Sequence, residues 1–137
     1  MAGSDRTVYF ERPGVARVTW DGPRRSVLVE WAGAADSAEF TAILDAEVRA
    51  LNEHRGARLL ADCRRQGVLD ASAQDRADRE WLPQALAAGL KRFAVVLPTA
   101  RLAAVNLEDR LGRASALEVC YFATVNEART WLAEPFE

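Results

Sequence analysis

Between Leu59 and Ser72 the chain reads LLADCRRQGVLDAS, and this stretch gathers side chains able to do chemistry: Asp62, Cys63, Arg64, Arg65, Asp70 and Ser72. An apolar run ends in a carboxylate, a basic loop follows, and Asp70-Ala71-Ser72 opens a helix. Strand ends that feed helix starts are where α/β proteins bring backbone N–H groups and the positive helix end together. A phosphate on Ser72 would sit at that positive end, within reach of Arg64 or Arg65 on the same loop. The unmodified hydroxyl is expected to cap the helix, with Asp75 three residues on, and the two roles are compatible. Asp62 has two readings: it accepts loop amides and holds the loop in shape, or it acts as an acid or base. Catalysis needs a second group in matched geometry, and no paired carboxylate is evident, so loop support is expected.

A nucleophilic set of Cys63, His54 and Asp62 is conceivable on residue type alone. His54 falls in the last turn of a helix, ahead of Arg55 and Gly56, where polar and cationic residues suit the helix dipole. A structural His54 and an inert Cys63 are therefore expected. Cys63 and Cys120 are too few for a disulfide scaffold or a four-thiolate zinc site, and one histidine excludes a histidine-rich metal site. No metal or cofactor is expected. Arg24-Arg25 follows Asp21-Gly22-Pro23; without a glycine-rich cradle it reads as a solvated turn rather than a phosphate site. Trp20, Trp31, Trp81 and Trp131 are expected in the core, and Trp81, beside Pro83, is the one best placed to line a cleft or a partner surface.

These residues have to be positioned by regular elements. Thr7–Arg12, Val15–Trp20 and Val27–Trp31 alternate as strands separated by Pro13-Gly14 and Asp21-Gly22-Pro23 turns. Ala16, Val18 and Trp20 share one face. After Gly33 the period lengthens: Phe40, Ile43, Leu44, Val48 and Leu51 mark a buried helix stripe, and Glu39, Asp45, Glu47 and Arg49 are read as its solvent side. Asp36 or Ser37 caps this helix and Gly56 stops it. Ala57–Cys63 is a short buried strand. A second helix runs from Ser72 to Gly89, with a kink or two short helices expected near Leu82 because Pro83 disfavours helix before it. Phe93–Leu97 is a buried strand, Leu102–Leu111 a short helix and Leu117–Phe122 the last strand. Thr124-Val125-Asn126-Glu127 has the form of a capping box and opens a final helix.

Strands alternating with helices after Val27 imply right-handed β-α-β units, giving an α/β chain with a mainly parallel sheet and an antiparallel N-terminal edge. At 137 residues this is a single domain, 1–137, with a complete core. A net charge of −2 argues against a nucleic-acid binder. No run is apolar enough to span a bilayer and no leader is evident, so a cytoplasmic location is expected. All 18 basic residues except Lys91 are arginine, which reads as compositional bias.

The segments FERPGVARVTW (Phe10–Trp20), LLADCR (Leu59–Arg64), EWLPQALAAGLKRFAVVLP (Glu80–Pro98) and CYFATVNEARTWL (Cys120–Leu132) resemble the SpoIIAA-like branch of the STAS-type proteins. The resemblance implies that fold, with a mixed sheet and about four helices. In STAS antagonists, Asp-Ser-Ser-Gly at a helix start carries a phosphorylated second serine. Asp70-Ala71-Ser72-Ala73 takes that place here, and Ser72 falls on the phosphorylated position; Ala71 and Ala73 depart from the pattern. The resemblance implies a non-catalytic regulatory or protein-interaction module. Its face would comprise Asp62, Arg64, Arg65, Asp70, Ser72 and Trp81, and its partner would be a protein. The wider fold also resembles lipid-binding CRAL-TRIO domains, which implies the alternative of a site for a small apolar or anionic ligand between the second helix and the sheet.

Overall fold

Side-chain alternation builds the N-terminal meander. In the computed structural model, which describes residues 6–67, 69, 71–104 and 117–136, β1 (Arg6–Arg12), β2 (Ala16–Asp21) and β3 (Ser26–Trp31) pair antiparallel. Ala16, Val18 and Trp20 are buried while Arg17 between them is exposed, as a period of two requires. Val8 pairs with Thr19 and Phe10 with Val18, so Tyr9 is the extra residue of a bulge.

The sheet then turns parallel. β4 (Arg58–Asp62) pairs with β3, β5 (Arg92–Val96) with β4, and β6 (Glu118–Phe122) with β5. Strand order follows chain order from β1 to β6. β5 thus separates Cys63, just past β4, from Cys120 in β6, and both thiols are free. The fold is the mixed sheet with an antiparallel N-terminal edge that the chain order implies, and four helices are described.

α1 (Ser37–His54) and α2 (Ala71–Ala88) cover one face, over Val18, Trp20, Val27, Val29, Leu59 and Ala61. After α3 (Thr99–Ala104) and β6, α4 (Val125–Leu132) covers the other face, over Leu60, Ala94 and Val96. Asp36 caps α1 with a complete capping box: its side chain accepts from the Glu39 N–H, and Glu39 accepts from the Asp36 N–H. α1 ends on Arg55 in the left-handed region (φ 51°), one residue before the expected glycine stop. Thr124 caps α4 by accepting from the Glu127 N–H.

Three expectations need correction. Pro83 lies inside α2, which runs unbroken from Ala71 to Ala88 rather than as two short helices. Packing of Ala85, Trp81, Leu82 and Leu86 against the core carries the helix through the proline. The helix begins at Ala71, so Ser72 sits in its first turn and not at its cap; Asp70 lies outside the described residues, as do residues 105–111 of the helix expected after Leu102. Glu47, assigned to the solvent side of α1, is 6% exposed. No described helix is long and apolar enough to cross a membrane.

Candidate functional site

The carboxyl ends of the parallel strands carry two adjoining concavities, and Trp31 at the end of β3 contributes to both. The first is a polar cleft of about 360 Å³ between the β1–β2 turn and the loop after β4, and Asp62, Arg64 and Arg65 line it. Asp62 grips Arg64 bidentately: Nε donates to Oδ1 at 2.9 Å and Nη2 to Oδ2 at 2.8 Å. The Arg64 backbone N–H also donates to Oδ1 at 3.2 Å. Hydrogen bonds from Arg64 hold the Asp62 carboxyl below its usual range. The carboxylate thus spends both oxygens on Arg64 within its own loop. Elsewhere around the cleft Arg17 lies 3.4 Å from Glu11, and Arg12 pairs with Glu39 at 2.8 Å. Much of its charge is neutralised locally.

The second concavity is an apolar cavity of about 210 Å³ between α1, α2 and the sheet. α1 presents Phe40, Leu44 and Glu47 to it, the i, i+4, i+7 positions of one helix face. α2 contributes Trp81, whose ring lies 5.8 Å from that of Phe93 in β5. Glu47, Gln66, Gln74 and the Trp81 indole bring polar groups to this lining. Trp81 Nε1 is buried and meets no acceptor among the described residues. The Glu47 carboxyl forms no hydrogen bond or ion pair among them, and burial pushes it up to about 8. At neutral pH it is protonated and therefore a donor.

A family model described as SpoIIAA-like matches residues 27–133. This chain belongs to the SpoIIAA-like family. The crystal structure of an uncharacterised protein of the DUF3478 family from Shewanella loihica PV-4, described as having a SpoIIAA-like fold, superposes with a TM-score of 0.57. The two are 15% identical, and the match covers 93% of each chain, a likeness of fold. No curated protein matches the chain.

In this SpoIIAA-like chain the expected site residues are distributed rather than convergent. Asp62, Arg64 and Arg65 share the polar cleft, Trp81 lines the neighbouring cavity, and Ser72 is exposed on the first turn of α2. His54 joins neither. Its ring stacks on Trp20 at 4.3 Å, and Nε2 lies 2.8 Å from the Tyr9 hydroxyl that the β1 bulge directs at α1. His54 precedes β4 and Asp62 ends it, so about 13 Å of strand separates them. Cys63 is buried, and burial pushes its thiol up to about 12, far from a nucleophilic thiolate. Glu47 escaped sequence reasoning because a lone acid between polar neighbours looks solvated. Its i+3 and i+7 relation to Leu44 and Phe40 is the signal that would have placed it on an inward face.

Proposed function

We propose that this SpoIIAA-like chain is a non-catalytic binding module whose ligand is a small apolar molecule bearing one hydrogen-bond acceptor. The observation that supports this reading is the apolar cavity lined by Trp81, whose buried Nε1 has no partner among the described residues, and by Glu47. A buried donor without an acceptor costs about 1–3 kcal/mol, so the unpartnered Trp81 Nε1 beside this cavity calls for an explanation. A ligand carbonyl or carboxyl oxygen placed between Trp81 Nε1–H and the protonated Glu47 would satisfy both. The concavity is small, about 210 Å³, and open on one side. An apolar cavity of about 150 Å³ takes benzene, whereas drug-sized ligands occupy about 300–1,000 Å³. A ring with a short substituent is of the size the concavity holds.

The test is an NMR titration with acetophenone and with benzoate. Saturable shifts are expected at Trp81, Phe93 and Leu44. Trp81→Phe keeps the apolar wall and removes the N–H, and should weaken acetophenone by about tenfold, the worth of one buried hydrogen bond. Affinity for acetophenone should also fall above pH 8, where Glu47 loses the proton it donates. Binding indifferent to Trp81→Phe and to pH would overturn the reading.

A second reading, partner docking gated at Ser72, draws support from the cleft that Asp62, Arg64 and Arg65 line at the same edge and from the exposure of Ser72. It would take over if Ser72→Asp altered capture of a protein partner while no small probe entered the cavity.

A further inference from the structure

The opposite edge of the sheet, at the amino ends of the parallel strands, concentrates positive charge. The β2–β3 turn, the first residue of β4 and the last turn of α4 enclose a cavity of about 330 Å³ lined by Arg24, Arg25, Arg58 and Arg129. Asp21 is the one carboxylate among its described lining residues. Four guanidiniums and one carboxylate (4 − 1) leave a local charge of +3 in a chain whose net charge is −2.

Most of this charge has only neutral partners. Arg25 donates to the His54 carbonyl at 3.3 Å, and Arg58 Nε to the Leu132 carbonyl at 2.6 Å. Among the described residues the Arg129 side chain has no partner at all. Burial above all, and then the neighbouring Arg92 and Arg25, pulls the Arg58 guanidinium below its usual range. The carbonyl end of α4 would ordinarily repel an anion, but Arg58 and Arg92 already cap its Leu132 and Glu134 carbonyls. Asp21 Oδ2 accepts from Arg24 Nη1 at 3.2 Å, while its Oδ1 is buried away from the cleft and unpartnered among the described residues.

We propose that this cleft binds a phosphate monoester, its phosphate held among Arg25, Arg58 and Arg129. A phosphate monoester brings close to two negative charges against +3, where a carboxylate brings one, and its oxygens match the guanidinium fork. Leu28, Leu60 and Leu132 supply an apolar floor for the rest of the ligand. The site is independent of the Trp81 cavity at the other edge. A soluble phosphorylated metabolite and a lipid headgroup share this chemistry.

α-Glycerophosphate and lysophosphatidic acid in phosphatidylcholine vesicles separate these sources. α-Glycerophosphate should produce saturable shifts in the arginine side-chain NMR signals of Arg58 and Arg129, and glycerol should not. Arg129→Gln breaks no hydrogen bond or ion pair among the described residues, so it should weaken binding by about tenfold at nearly unchanged Tm. Arg79→Gln, remote on α2, should leave binding unchanged. Binding only to the vesicles, and lost in Arg129→Gln, would identify the lipid form of the same chemistry. No saturable response to either probe, or a response that Arg129→Gln leaves intact, would overturn the proposal.

Discussion

Glu47→Gln is expected to stabilise this protein, and to do so more strongly as the pH rises. In the folded state Glu47 has no partner among the described residues and keeps its proton to about pH 8, because burial penalises the carboxylate. In the unfolded chain the same group titrates near the ordinary 4.5. Between these values the folded state binds one proton more than the unfolded state. Stability therefore falls with rising pH across this window, by about 1.4 kcal/mol per unit, and is flat on either side of it. Glutamine keeps the size and polarity of the protonated acid and cannot ionise. Its advantage should be near zero at pH 4.5 and several kcal/mol, on the order of 3–5, at pH 8 and above. Urea unfolding of both proteins at pH 5, 7 and 9 measures it, and an advantage that does not change with pH would show that Glu47 ionises freely in the fold. The same substitution keeps one donor in the cavity, so acetophenone binding in the variant should lose its dependence on pH.

The contrast between Glu47 and its neighbours explains what could be read from the sequence. The strands were legible because each buries one face, so that Ala16, Val18 and Trp20 or Val27 and Val29 announce their period directly. The cap of α1 at Asp36 and that of α4 at Thr124 were legible because capping is local chemistry, settled within four residues. Glu47 was not, because α1 has two buried sides. It packs on the sheet through Ile43, Ala46 and Ala50 and faces α2 across the cavity through Phe40, Leu44 and Glu47. A single-stripe reading assigns one of those faces to water. Pro83 misled for a related reason: its local cost is real, but the burial of Ala85 and the packing of Trp81 and Leu86 outweigh it. The arginine cleft was illegible in another way. Arg24 and Arg25 share a turn, but Arg58 and Arg129 arrive from distant segments, and only the sheet order brings the four to one edge. Read alone, the turn was solvated.

A larger structural effect than its chemistry suggests is expected from one methyl group at Gly67. This residue lies in the loop after β4, between the arginines of the polar cleft and the Leu69 that lines the apolar cavity. Its N–H donates to the Gly33 carbonyl at 3.0 Å, which presses the loop onto the connection from β3 to α1. A Cβ at Gly67 would stand 2.6 Å from the Ala34 nitrogen and 2.8 Å from its Cα. Both are backbone atoms and cannot rotate away. The Ala34 segment cannot retreat either, since the Ala32 and Gly33 N–H groups are tied to the Val15 carbonyl in the β1–β2 turn, and a Cβ on Gly33 would itself run into Gly14. Three loops are thus stacked backbone on backbone at the carboxyl edge. Alanine at 67 gains a few tenths of a kcal/mol by restricting the unfolded chain, but overpacking of this kind costs about 1–3 kcal/mol, so a net loss of about 2 kcal/mol is expected. The loop has to lift, carrying Gln66 and Leu69 away from the cavity. Gly67→Ala should therefore abolish acetophenone binding without altering any lining side chain, while Gly14→Ala, whose Cβ meets open space, should cost only the strain of its φ of 81° and leave binding intact. Urea unfolding and the acetophenone titration of the two variants, side by side, measure both effects. Wild-type stability and affinity in Gly67→Ala would mean that the loop is not clamped by its neighbours, and that the cavity owes its shape to α1 and α2 alone.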